Sequence, residues 1–306
     1  MPLHIEAIPA FETNYIWAIH DGQHCAIVDP GQSAGVLEFL AERALKLSAL
    51  LLTHHHADHI GGVADILARH PAPVWGPVDA RMPQVNHPLS EGDRAEIPEL
   101  GLSFDVLETP GHTRSHIVFH DQNRLLAGDT LFSAGCGRLF EGTPEQMQRS
   151  LDKLDPLGDD IQVYCAHEYT RDNCRFALAV EPDNPTLQEW AAEVDRRRKD
   201  DRITLPVRLG QERAVNPFLR TREPAVIDAA NQREPGTGDD PAAVFGVIRR
   251  WKDGFGSASR SRVDLPPQRV SAMPMVRTTG RWLESISPRS RYPRFGFKYK
   301  FPTSKP

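Results

Sequence analysis

Between Thr53 and Gly62 the chain reads T-H-H-H-A-D-H-I-G-G, so His54, His55, His56, Asp58 and His59 place five metal-binding side chains in six positions. Packing alone does not ask for this. A histidine costs more to bury than a leucine, and protonated imidazoles so close together repel one another. A transition-metal ion removes the conflict, because it takes neutral imidazoles and ionised carboxylates as ligands. His54 and His56 are two apart and follow an apolar run. In an extended chain that spacing puts both on one face. Two imidazoles at about 2.0–2.1 Å from one ion leave one or two coordination positions to fill. Asp58 and His59 lie where the chain turns into a helix and can serve a second ion, since one tetrahedral site cannot use every candidate.

Further candidates follow other apolar runs. Pro110-Gly111-His112-Thr113 exposes His112 on a turn, and Ala127-Gly128-Asp129-Thr130 presents Asp129, whose two oxygens could bridge two ions. Cys165-Ala166-His167-Glu168 adds another imidazole. Singly, each reads as an ordinary hydrogen-bonded loop residue. Together they sit at the C-terminal ends of strands, where open α/β sheets place their sites.

The elements that must position them alternate. Residues 15–20 and 25–29 read as strands joined by an Asp21-Gly22 hairpin turn, and 35–46 has helical spacing. Residues 47–53 form a nearly continuous apolar run, expected of a strand covered on both faces, and a helix is expected over 59–70. Strands are expected at 74–75, 102–108, 117–120, 125–127 and 161–165. Thr143-Pro144-Glu145-Gln146 has the form of a capping box opening a helix. From about residue 170 the pattern is helical: 171–180, 186–201 (opened by Thr186), 223–233 and 240–252, with a loop at 235–240. The expected organisation is a metal-binding α/β domain over 1–170 and a small all-helical domain over 171–255. A basic, disordered tail is expected over 256–306.

Charge and cysteines narrow the class. The tail carries eleven Lys/Arg against two Asp/Glu, so +9, which leaves −14 for residues 1–255 within the total of −5. An acidic body does not suggest a nucleic-acid binder. Cys25, Cys136, Cys165 and Cys174 form no C-x-x-C pair and read as reduced, partly buried thiols. No run approaches the roughly 20 apolar residues of a spanning helix. The expectation is a soluble, cytoplasmic monomer without nucleic-acid or membrane partners.

The order H-x-H-x-D-H, G-H-T, G-D-T and a late histidine resembles the metallo-β-lactamase superfamily over about residues 1–170. The resemblance implies an αββα sandwich with two divalent metal ions at one edge. The first ion would take His54, His56 and His112, the second Asp58, His59 and His167, with Asp129 bridging. Zinc is the expected metal; iron and manganese suit the same ligands. His55 has no place in that ligand pattern. It is read as a packed or hydrogen-bonded residue, as are His4, His20, His24, His70, His87, His116 and His120. Two ions about 3.5–4 Å apart can share a water and make it a hydroxide nucleophile near neutral pH. They also hold the oxyanion that develops, and Asp58 could orient the hydroxide. The ligands alone do not choose among esters, amides, thioesters and phosphodiesters.

Three stretches narrow the resemblance: G-C-G-R-L-F-E-G at 135–142, A-H-E-Y-T at 166–170 and R-R-W-K-D at 249–253, with N-P-F-L-R at 216–220 fitting as well. They resemble glyoxalase II, the hydroxyacylglutathione hydrolases, over about residues 1–255. This implies hydrolysis of S-D-lactoylglutathione to glutathione and D-lactate, the second step of methylglyoxal detoxification, with Asp58 and Asp129 catalytic. Arg138, Tyr169, Arg249 and Lys252 would hold the glutathione moiety. Arg249 and Lys252 lie i and i+3 on one helix face and form a local basic cluster in an acidic body. Without the resemblance, cations near a helix C-terminus are explained by the helix dipole. Arg138 stands where many relatives carry lysine, and Phe140 where some carry tyrosine, which removes one hydroxyl. The tail has no counterpart in the family pattern. Other readings are persulfide oxidation at a single iron, lactone or β-lactam hydrolysis, and a metal-stabilised binder whose tail takes an anionic polymer. Asp129 argues against the β-lactam pattern, which tends to carry cysteine there.

Overall fold

The computed structural model describes residues 2–255. The chain opens with β1 (His4–Ala10), β2 (Asn14–His20) and β3 (His24–Val28), then α1 (Ala34–Glu42), β4 (Lys46–Leu51), α2 (Ala57–Ile60), α3 (Val63–Arg69), β5 (Val74–Pro77) and β6 (His87–Leu89). It continues with β7 (Arg94–Ile97), β8 (Leu102–Glu108), β9 (Ile117–His120), β10 (Arg124–Gly128), the short pair β11 (Leu131–Phe132) and β12 (Gly135–Cys136), α4 (Pro144–Asp152) and β13 (Gln162–Cys165). The last elements are α5 (Thr170–Val180), α6 (Pro185–Lys199), β14 (Val207–Arg208), α7 (Leu209–Val215), α8 (Pro224–Arg233) and α9 (Pro241–Gly254). The strands make two six-stranded sheets, ordered β1-β2-β3-β4-β5-β6 and β14-β13-β10-β9-β8-β7, and β11 pairs with β12.

The two-residue period of a strand decides how the layers stack. On β2, Tyr15, Trp17 and Ile19 point into the core between the sheets with Phe104, Val106 and Phe119. Ile16 and Ala18 point the other way, onto Val36, Phe39 and Leu40 of α1 and Val63 and Ile66 of α3. β4 needs apolar residues on both faces for the same reason: Ala49 and Leu51 join the first cluster, Leu50 and Leu52 the second. The result is the expected αββα sandwich, followed by helices. Phe176, Phe218 and Phe245 of the helical segment belong to the same core as the second sheet. Each such fully buried side chain contributes roughly 1.5–3 kcal/mol.

Several expectations change in detail. The helix expected over 59–70 is broken into α2 and α3 at Gly61-Gly62. A Cβ on Gly62 would lie 2.5 Å from the Gln32 carbonyl carbon and 2.6 Å from Ser33 N, so the chain crosses a neighbouring loop too closely for any side chain. The helix expected to reach residue 46 stops at Glu42, because Ala44 turns to φ 52° and Lys46 begins β4. α6 is capped by Asn184, whose side chain accepts from Leu187 N, with Pro185 in the first turn; Thr186 is inside the helix. The capping box at Thr143 forms as read, with both reciprocal bonds present. β1, β6, β7, β14 and α7 had no expectation, being short or weakly patterned. All four cysteines are free and buried. Among the described residues no helix is long and apolar enough to cross a membrane. The basic tail expected over 256–306 lies outside the described residues.

Candidate metal centre

Strand direction gathers the ligands. β8 is antiparallel to β9, β9 is antiparallel to β10, and β10 is parallel to β13. β8, β10 and β13 therefore end along one edge of the second sheet, and His112, Asp129 and His167 follow those ends. β4 of the first sheet ends just before His54. Hydrogen bonds tie the sheets at this edge, among them Ile117 N donating to Thr53 O (3.0 Å), Tyr15 N to Ala166 O (2.7 Å) and Glu168 N to Thr13 O (2.8 Å). The seven expected ligands then fall into three overlapping groups that could each hold an ion. These are His54, His56 and His112; His54, His59 and Asp129; and Asp58, His59 and His167, each with ligand atoms within 4.8 Å of one another.

The surroundings fix which ring nitrogen faces inward. Thr53 Oγ1 donates to Asp29 Oδ2 at 2.7 Å, so it accepts from His54 Nδ1 at 3.0 Å. His112 Nδ1 donates to the Arg138 carbonyl (2.7 Å), and His59 Nδ1 to Asp29 Oδ2 (3.1 Å). With Nδ1 carrying the proton, Nε2 of His54, His59 and His112 is a bare lone pair turned into the site. His56 Nδ1 sits 3.1 Å from His54 Nε2 and 3.0 Å from His112 Nε2. One proton on His56 can satisfy only one of those contacts, and the other sets lone pair against lone pair. A cation among the three nitrogens resolves this. Elsewhere in the cluster, His59 Nε2 and Asp129 Oδ1 are buried without a hydrogen-bond partner, 3.4 Å apart. Unpaired buried polar atoms are costly and need a reason. A divalent cation supplies one, so these residues fit the metal that the fold implies.

Charge divides the cluster in two. Burial, then the neighbouring imidazoles, hold His54 well below the usual histidine range, and burial with His112 beside it brings His56 down to about 4. These rings are neutral, as metal binding requires. His59 goes the other way. Burial alone would lower it, but Asp129 and Asp29 beside it raise it to about 9. Burial pushes the Asp129 carboxyl up, yet His59 and His167 outweigh that and hold it far below the usual carboxylate range. Asp58 is also held low: burial opposes ionisation, while His59 and the Asn14 amide (3.0 Å to Oδ2) favour it. The carboxylate half thus calls for positive charge beside it, which a divalent cation would supply.

Sequence reasoning missed the residues that orient the ligands. Asp29, in a left-handed conformation (φ 49°), accepts from Thr53 N, Thr53 Oγ1 and His59 Nδ1. Its place after an apolar strand, before Pro30-Gly31, was the available signal. Asn14, the first residue of β2, reaches Asp58, and Thr13 Oγ1, at the end of the turn before it, lies 3.2 Å from His167 Nδ1; both are far away in sequence. His116, read as a packed histidine, is fully buried, stacks on His54 (4.7 Å) and accepts from Asp129 N at 3.1 Å. His55 faces outward from the ligands, 3.8 Å from Asp79 and 3.7 Å from Glu141.

The expected substrate residues are placed unevenly. Tyr169 stacks flat on His167 (centroids 4.6 Å, 4° between planes) and is partly exposed. Phe140 is exposed and sets its ring edgewise to His56 and His112 at 5.5 and 5.3 Å. The Arg138 guanidinium is exposed, 5.6 Å over the Phe140 ring and 3.8 Å from Asp253. Arg249 is only 6% exposed. It donates to the Cys136 carbonyl and to Asp253, both at 3.0 Å. Lys252 donates to the Asp172 carbonyl at 3.2 Å, and burial, then the nearby Arg249, push it down to about 8.

Comparison with known proteins matches this geometry to two family models. The metallo-beta-lactamase superfamily covers residues 10–167, and the hydroxyacylglutathione hydrolase C-terminus covers residues 168–255. The hydroxyacylglutathione hydrolase of Nitrosomonas europaea is 47% identical over 264 residues, 86% of this chain and 99% of the relative. That of Cupriavidus metallidurans is 51% identical over 83% of this chain and 99% of its own length. Among solved structures, ETHE1 from Myxococcus xanthus aligns with a TM-score of 0.55 at 24% identity, over 82% of this chain and 98% of that one. The BLEG-1 B3 metallo-beta-lactamase aligns at 0.53 and 23% identity, over 71% of this chain and 99% of its own. These two likenesses speak to the fold alone.

Proposed function

This chain belongs to the hydroxyacylglutathione hydrolases of the metallo-beta-lactamase superfamily, and on that footing we propose that it hydrolyses S-D-lactoylglutathione to glutathione and D-lactate. It is a thioester hydrolase that binds divalent metal. The finer reading is two ions, zinc in each, with His54, His56 and His112 on one, Asp58, His59 and His167 on the other, and Asp129 between them. One observation carries it: Asp129 faces both halves, with Oδ1 at 3.4 Å from His59 Nε2 and 3.3 Å from His167 Nε2, and Oδ2 at 3.4 Å from His112 Nε2.

Bound divalent metal supplies Lewis acidity that activates water and polarises the thioester carbonyl. The chain's own groups do the rest. Asp58, ionised and steadied by Asn14 on Oδ2, accepts a hydrogen bond from the attacking water and aims it. Arg138 and Tyr169 of the metal-binding part and Arg249 and Lys252 of the helical segment hold the anionic glutathione moiety. The aromatic faces of Phe140 and Tyr169 narrow the mouth beside the ligands. The meeting of the two family matches at residues 167 and 168 supports a division into a metal-binding part over 1–170 and a glutathione-binding helical part over 171–255. A cytoplasmic monomer with no macromolecular partner completes the reading.

The deciding experiment is hydrolysis of S-D-lactoylglutathione by the purified full chain, with metal content measured on the same sample. Turnover that chelation abolishes and zinc restores is the expected result. A metal-filled protein with no turnover sinks the substrate assignment and leaves the metal fold standing.

A further inference from the structure

The pair β11–β12 links two parts of the metal centre. Asp129 lies just before it, and the Arg138 carbonyl that holds His112 lies just after it. Its turn residue Ala134 has φ 53°, a conformation that a non-glycine residue keeps only when its surroundings impose it. Beyond β12 the chain returns close to the ligands. A Cβ on Gly137 would lie 2.0 Å from the Asp129 carbonyl and 3.0 Å from His112 Nδ1. A small shift of this hairpin therefore moves both residues.

What holds the hairpin is a carboxylate with no exposure, 83 residues beyond Asp129 in the chain. Glu212 on α7 accepts from Ser133 Oγ (2.8 Å) and Ala134 N (2.7 Å). Asn216 Nδ2 donates to Glu212 Oε2 (3.0 Å), the Phe132 carbonyl (3.1 Å) and the Gly135 carbonyl (2.9 Å). Asn173 of α5 donates to the Ser133 carbonyl (3.0 Å), and Trp190 of α6 to Ser133 Oγ (3.3 Å). Polar side chains of α5, α6 and the α7 end thus grip four residues of the hairpin, Phe132 to Gly135. A buried carboxylate is expensive, and an apolar contact would hold a loop more cheaply; its retention points to specificity of position. Burial raises this carboxyl to about 7 against the pull of its three donors.

We propose that Glu212, with Asn216, is a positioning residue: it sets Asp129 and the Arg138 carbonyl, and so makes the metal centre depend on the helical segment. The inference rests on the metal reading above but not on the thioester. It is tested with zinc alone, by chelator competition on the full chain. Glu212→Ala is expected to weaken zinc binding at least about tenfold, as loss of partners that orient ligands does, while its far-UV circular dichroism stays native. Glu212→Gln keeps an acceptor for Ala134 N and Asn216 and is expected to recover to within about threefold of the native affinity. Ser133→Ala, which removes one donor, is expected to fall between the two. A folded Glu212→Ala with native affinity overturns the proposal. If Glu212→Ala does not fold, native affinity in Ser133→Ala overturns it instead. A native chain that binds no zinc sinks the metal reading itself, and this inference with it.

Discussion

The ligand loops and the basic residues of the helical segment are built on opposite plans. In the loops, the outer nitrogen of three rings is spent on a partner so that the inner one is left bare: Asp29 through Thr53 for His54, Asp29 for His59, the Arg138 carbonyl for His112. In the helical segment, the expected substrate cations are themselves spent. Arg249 is buried on Cys136 and Asp253, and Lys252 rests on the Asp172 carbonyl. The first plan leaves a site that is ready and unsatisfied. The second leaves side chains that already stabilise the fold and must serve a ligand from where they stand.

The sharpest way to break this contrast is at Asp129. Asp129→Ala removes the carboxylate that faces both halves. It is expected to lower kcat/KM by more than about a hundredfold, beyond the 10–100-fold that orienting partners contribute. Metal analysis should show the loss of bound ion. Full metal content and activity in that variant would end the account of the loops.

Arg249→Ala tests the other plan. Removing the charged donor of the buried Cys136 carbonyl typically costs about 1.5–3 kcal/mol, so its urea midpoint should fall before any change in metal content. If stability held and only KM rose, Arg249 would be a dedicated substrate ligand and the contrast would collapse.

Asp29→Asn comes next in size. Asparagine cannot accept from both Thr53 and His59 in the same way, so zinc affinity should drop roughly tenfold or more. An unchanged affinity would mean that the rings hold their orientation unaided.

The smallest effect concerns pH. Lys252 is held down to about 8, so its charged form is lost as pH rises through that value. kcat/KM should decline above about pH 8 in the native chain, and Lys252→Met should be lower by severalfold but lack that inflection. The same inflection in the variant would assign it to another group.

The two regions also differ in how far the sequence disclosed them. The metal-binding residues after the apolar runs were legible as types that packing does not call for, and the resemblance to the metallo-β-lactamase superfamily chose seven candidates among them and left out His55. The runs gave alternating strands and helices, and the αββα layering came from the resemblance to the metallo-β-lactamase superfamily. The orienting partners were not legible. Thr13, Asn14 and Asp29 meet their targets across 30 to 154 residues, and nothing local marks an asparagine at a strand start as the partner of a carboxylate. In the helical segment, the i, i+3 spacing placed Arg249 and Lys252 on one face but could not say that the face is buried. β1 escaped notice because His4 and Glu6 interrupt its apolar pattern, and α7 because seven residues carry too little periodicity to read.

The collection of ligands from distant strand ends also sets a schedule for the growing chain. At about 5–20 residues per second, the ribosome delivers His167 roughly 5–20 s after His59, and Glu212 later still. Through the first part of that interval the histidine-rich loop is out without Asp129 and without the hairpin at residues 131–136. If Glu212 positions the hairpin as proposed, full assembly of the site waits until the helical segment has emerged. A nascent chain stalled before residue 167 offers a cell's metal pool an incomplete trap.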